Sequence, residues 1–169
     1  MTDECKILDP TAFGLFFVAL ISLPIALVCF DTYFDLGLSQ VADNLSGLLI
    51  IASFFIFVAA IAAYKANSNF GFIVFGLVAI GVFCAGAGYA GTIIGITLAL
   101  IYVIALIWSY HAGTPKLLTL ILLTTALIFL FGSFDGEIFV LLKALAALAN
   151  FALTLYLAFA LADEHLPCF

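Results

Sequence analysis

This chain has no arginine, and only 8% of its 169 residues are charged. A protein that binds nucleic acid needs a basic surface to displace counterions, and four lysines against ten acids, a net charge of -6, exclude that partner. The same shortage excludes anchoring through anionic lipid headgroups. The four cysteines, Cys5, Cys29, Cys84 and Cys168, form no CxxC pair, and Cys29 and Cys84 fall in apolar segments where cysteine packs as a small hydrophobe. His111 and His165 stand in polar ends without neighbouring ligands, so no metal site is expected. The apolar segments hold no nucleophile with a base, no glycine-rich phosphate loop and no carboxylate pair. Neither an enzyme nor a cofactor is expected.

What the chain has instead is apolar residues, at 67% of the sequence with a mean hydropathy of +1.40. A water-soluble protein of this size would be left with too much apolar surface, so lipid is the expected solvent. Six apolar runs are separated by short polar breaks. They predict helices at about Thr11 to Phe30, Ser46 to Tyr64, Phe70 to Gly88, Thr92 to Tyr110, Leu117 to Phe134 and Ile138 to Ala162. About 20 helical residues cross a hydrocarbon layer of roughly 30 Å, and a helix satisfies its own backbone where no water can. The expected fold is therefore an all-α integral membrane protein, with residues 1–169 forming one domain of six transmembrane helices.

Asp31 to Asn44 reads as an acidic, polar break, and Pro24 predicts a kink near the end of the first helix. The first run is not expected to be a cleavable signal peptide, because Asp3, Glu4 and Asp9 precede it. Lys6, Lys65 and Lys116 fall on one side of an even-numbered bundle, and the positive-inside tendency makes that side, with both termini, cytoplasmic.

Polar residues within the helices carry the functional reading. Lys143 lies about a turn and a half into the sixth helix. It either snorkels to the outer interface or draws a small anion toward a pathway. Lys143, Ala147, Asn150 and Thr154 share one helical stripe. Asn150, near the bilayer centre, must face protein or water and serves either as interhelical glue or as a solute contact. Ser53, Thr97, Thr124, Thr125 and Tyr156 carry the same two readings, since hydroxyls in membrane helices often bond their own backbone. Small residues at Gly81 and Ala85, and at Gly91, Gly95 and Ala99, predict close helix packing within or between subunits. Phe13 and Phe17, one turn apart, form either core or an apolar gate.

Three stretches resemble the succinate-acetate permease family of acetate uptake transporters. Asp9-Pro-Thr-Ala-Phe-Gly-Leu15 is similar to the family's Asn-Pro-Ala-Pro-Leu-Gly-Leu, with Pro10, Gly14 and Leu15 matching. Ala63-Tyr-Lys-Ala-Asn-Ser-Asn-Phe-Gly71 resembles Glu-Tyr-x-x-Gly-Asn-Thr-Phe-Gly, with Tyr64, Phe70 and Gly71 retained, and Tyr156-Leu-Ala158 is similar to a Tyr-Leu-Ala near the family's carboxyl end. The chain departs from the pattern at Asp9, Ala63, Ser68 and Asn69, and at Leu77-Val-Ala-Ile-Gly-Val82, where the family has Ser-Tyr-Gly-x-Phe-Trp.

The resemblance implies a homo-oligomer, a hexamer, of six-helix protomers in the cell membrane. Each protomer would move acetate or a similar small monocarboxylate with a proton, or pass the protonated acid. It implies that Asp9, Pro10, Phe13 and Gly14 shape the cytoplasmic entrance, with Asn67, Asn69 and Phe70 lining its other half. Val18 and Val78 stand where the family has aromatics and imply a wider neck. Asn150 and Thr154 would meet the solute midway, with Lys143 attracting it outside. A channel for a neutral solute such as urea or ammonia, and a non-transporting scaffold, are the alternatives.

Overall fold

The computed structural model describes residues 10–89 and 91–162. They form six α-helices in chain order: α1 Pro10–Phe34, α2 Ser39–Lys65, α3 Asn69–Gly86, α4 Thr92–His111, α5 Lys116–Phe131 and α6 Glu137–Ala162. All except α5 are long and apolar enough to cross a membrane, the character of a multi-pass membrane protein. At about 1.5 Å per residue the 16 residues of α5 rise only ~24 Å, and α5 packs between α4 and α6.

The first break differs from the sequence expectation. Both flanking helices invade it, so that Asp31 lies in the last turn of α1 and Asp43 in the second turn of α2. Polarity ends an apolar run, but it does not end a helix while the backbone can go on bonding to itself. What ends α1 is geometry: Asp35 at φ 53° and Gly37 at φ 75° turn the chain, and the Asp31 carboxylate accepts the Leu38 N–H at 2.9 Å. Pro24 sits inside α1, which continues on both sides of it.

The link from α2 to α3 is equally defined. Asn67 takes φ 59°, a left-handed value that its short amide side chain tolerates, and the Ser68 N–H reaches back to the Ala63 carbonyl. The Ser68 hydroxyl then accepts the Gly71 N–H, capping α3. α5 ends at Phe131 rather than Phe134, where the Gly132 N–H bonds to the Ile128 carbonyl and the Ser133 hydroxyl to that of Phe129.

Each helix packs on its chain neighbours, and α6 returns onto α1, closing a ring. The α3–α4 junction is the sparsest of the six. Side chains plug it from within. A Cβ placed on Gly81 would lie 2.6 Å from the Phe129 ring and 3.2 Å from Leu98, so glycine there admits that ring between α3 and α4. Phe129 in turn stacks on Tyr102, with centroids 5.7 Å apart. Gly95 lies against Ser133 and the Phe129 carbonyl. These small residues thus serve contacts within one chain.

Candidate functional site

Two cavities lie back to back inside the ring. One, of about 280 Å³, is lined by the end of α1, the start of α2, the end of α3, the start of α4, the end of α5 and the start of α6; among the described residues Lys143 is the one charged residue lining it. The other, of about 310 Å³, opens between the start of α1, the α2–α3 and α4–α5 links and the end of α6, with Thr11, Ser68 and Thr114 among its polar residues. Each far exceeds the ~30 Å³ that one water occupies. Val18 of α1, Val78 of α3 and Thr125 of α5 line both, so these three side chains form the collar between them.

The collar is polar on one side only. Asn150 of α6, 1% exposed, presents its amide to α5: Nδ2 donates to Thr124 Oγ1 at 2.8 Å, Thr125 Oγ1 at 2.9 Å and the Ile121 carbonyl at 3.2 Å. A backbone carbonyl only accepts, so the contact with Ile121 fixes the NH2 toward α5 and turns Oδ1 toward α1. There Oδ1 meets the hydroxyl of Ser22 at 3.0 Å. Thr124 and Thr125 both direct their own protons to backbone carbonyls of α5. Three helices are therefore joined by one amide, at the Lys143 side of the collar.

Lys143 is half-buried, and its ammonium lies over Gly132, within 3.4 Å of where a side chain there would begin. Gly132 closes α5, so the cation sits at the end of that helix where the carbonyl dipoles favour it. It also faces the cavity. The dipole explains how a lysine is tolerated at this depth, and the cavity explains what its charge can reach.

The structure places the other expected site residues unevenly. Lys143 and Asn150 share a cavity, and Val18 and Val78 share the collar. Phe70 lines the Thr11 cavity, where it packs edge-on against Trp108. Gly14 is buried against the Phe75 ring, 2.5 Å from where its Cβ would lie. Thr154 is buried but lines neither cavity, and its hydroxyl donates to the Asn150 carbonyl at 2.7 Å. Pro10 opens α1 outside both linings, Asn67 is exposed in the α2–α3 link, and Asn69 is exposed at the start of α3. Phe13, 40% exposed, and Phe17 lie away from both cavities: Phe13 meets Phe17 edge-on, and Phe17 stacks on Phe55 of α2. Asp9 lies outside the described residues.

Two residues of the interior carried no sequence signal. Ser22, 3% exposed, is one hydroxyl in an apolar helix and is marked out only by Asn150 opposite it. Tyr102 is fully buried and lines the Thr11 cavity, and among the described residues its hydroxyl has no hydrogen-bond partner. Ser53 and Thr97 bond back to their own helices.

No family model matches the chain, and no curated protein and no solved structure is significantly similar to it.

Proposed function

We propose that this protein is a cell-membrane transporter or channel for acetate and similar small monocarboxylates, passing them with a proton or as the undissociated acid. The observation that carries the reading is the pair of cavities meeting at the Val18–Val78–Thr125 collar, with one buried amide beside it. Two valines offer nothing to a charge, and a bare carboxylate in so apolar a passage would cost on the order of tens of kcal/mol. An acid that has taken up a proton avoids most of that cost. Lys143, the one charged residue among the described residues lining its cavity, raises the local concentration of the anion before the proton is taken up.

On this reading the Thr11 cavity faces the cytoplasm together with both termini, and Lys143 faces outward. The sequence resemblance to the succinate-acetate permeases supports the same solute and adds a homo-oligomeric, hexameric assembly. The reading assigns passage of a solute, not catalysis.

The deciding experiment is uptake of labelled acetate into proteoliposomes, with and without an imposed proton gradient, against protein-free vesicles. Uptake above the protein-free level that rises when the inside is made alkaline supports coupled or protonated passage. Protein-dependent flux of urea or ammonia that ignores the gradient would support a neutral-solute channel. The uncharged collar gives that second reading its one physical support.

A further inference from the structure

The buried hydroxyls and the amide between the cavities have fewer protons to give than acceptor positions to fill. The Ser22 hydroxyl has one proton and two acceptors in reach, the Val18 carbonyl at 2.7 Å and Asn150 Oδ1 at 3.0 Å. The nearer carbonyl belongs to its own helix, where such back-bonding is common. Whichever of the two the proton serves, Ser22 Oγ accepts no hydrogen bond among the described residues and Asn150 Oδ1 accepts at most the one from Ser22, so both adjacent oxygens keep a free acceptor position. Both residues line the Lys143 cavity. Thr125, at the collar, is in a similar state: its proton goes to the Ile121 carbonyl and its oxygen already accepts from Asn150. The amide protons of Asn150 are all turned toward α5.

We infer that Ser22 Oγ and Asn150 Oδ1 form a binding site for a hydrogen-bond donor, one that accepts small neutral primary amides as well as undissociated carboxylic acids. The inference rests on the reading of the bundle as a solute pathway and names what that pathway selects. An NH2 group brings two protons, one for each oxygen, and an acid O–H brings one. A carboxylate brings none and would set its own oxygens against two others. Ammonium, though rich in donors, is disfavoured by Lys143 in the same cavity. The collar valines and Ile21, Ile25 and Leu49 surround the pair with apolar surface suited to a methyl or ethyl body.

The test uses acetamide, which carries the NH2 group at every pH. Its flux into proteoliposomes is read by stopped-flow swelling, and its binding by the shift in thermal unfolding of the purified protein, for wild type, Ser22→Ala and Ser22→Thr. Ser22 joins no interhelical bond except that to Asn150, so the alanine variant is expected to fold. Loss of one neutral hydrogen bond raises the half-saturating acetamide concentration about fivefold in Ser22→Ala, and Ser22→Thr, which keeps the oxygen, restores it. Acetamide flux stays level between pH 5 and pH 8, whereas acetate flux falls about tenfold per unit as the acid ionises. Equal half-saturation and equal thermal shift in wild type and Ser22→Ala overturn the site. A Ser22-dependent thermal shift without flux of either solute upholds the site and overturns the pathway.

Discussion

Val18 of α1 and Val78 of α3 are the two aliphatic side chains that line both cavities, so the two of them stand where one cavity meets the other. If solute crosses there, bulk at either position sets the rate. Val78→Phe is expected to reduce acetate flux by at least about tenfold, equal to ~1.4 kcal/mol of barrier, while Val78→Ala maintains or raises it. Overpacking costs roughly 1–3 kcal/mol of stability, so flux is to be normalised to folded protein. Unchanged flux in Val78→Phe would place the route elsewhere.

Asn150 joins α6 to α5 and α1, yet its removal strands no partner. Ser22, Thr124 and Thr125 all have carbonyls of their own helices to bond. Asn150→Leu is therefore expected to lower stability in detergent by only about 1–2 kcal/mol. It should also abolish discrimination between acetamide and acetate. Thr154→Val, one turn away and lining neither cavity, should leave solute selection intact. The contrast, measured as the flux ratio of the two solutes, separates a pathway residue from a packing residue on the same helical stripe. In a pure scaffold neither variant would alter any flux.

Tyr102 poses the opposite case. Its ring is stacked on Phe129 and fully buried, but among the described residues its hydroxyl has no partner. A buried polar group without a partner costs about 1–3 kcal/mol, so Tyr102→Phe is expected to leave stability unchanged or raise it by ~1 kcal/mol. Tyr102→Ala, which opens a void behind Phe129 at the sparse α3–α4 junction, should cost about 3–5 kcal/mol. Chemical unfolding in detergent reads both. A marked loss in Tyr102→Phe would show that the hydroxyl holds a bond after all.

Six apolar runs and the turn residues between them made the helices legible, since hydrocarbon thickness fixes how long a run must be. The first break was misjudged because acidic side chains at a helix end remain compatible with helix, and only Asp35 and Gly37 demand a turn. Lys143 and Asn150 stood out because charge and amide are costly in lipid. Phe13 and Phe17 illustrate what cannot be read. Between helices and lipid there is little hydrophobic difference, so the sequence does not separate exposed Phe13 from Phe17, which packs against the core. Ser22 was hidden for a related reason, since one hydroxyl can satisfy itself on its own helix. Its meaning depends on a residue 128 positions away.

Among the described residues Lys143 is the one cation lining its cavity, and that makes a prediction about salt. Its attraction for an anion at the mouth is screened over about 10 Å at 0.1 M ionic strength. Lys143→Gln should therefore reduce acetate flux several-fold at low salt and much less at high salt, with acetamide unaffected at both. Should the substitution slow both solutes alike, the lysine would be acting through packing against Gly132 rather than through charge.

Cys29 gives a means to establish which way the bundle faces. It is buried in the wall of the Lys143 cavity, four residues after Ile25 and beside the same opening. With Cys5, Cys84 and Cys168 replaced by serine, Cys29 is the sole thiol. On the proposed orientation, with the Thr11 side in the cytoplasm, a membrane-impermeant thiol reagent should reach Cys29 in intact cells, and the attached group, filling part of a cavity of about 280 Å³, should block acetate flux. Ser22, Asn150 and Cys29 line the same cavity, so acetamide bound there should slow the labelling. Reaction confined to inside-out vesicles would reverse the orientation while leaving the cavity assignment standing. Full labelling with undiminished flux would remove the Lys143 cavity from the route.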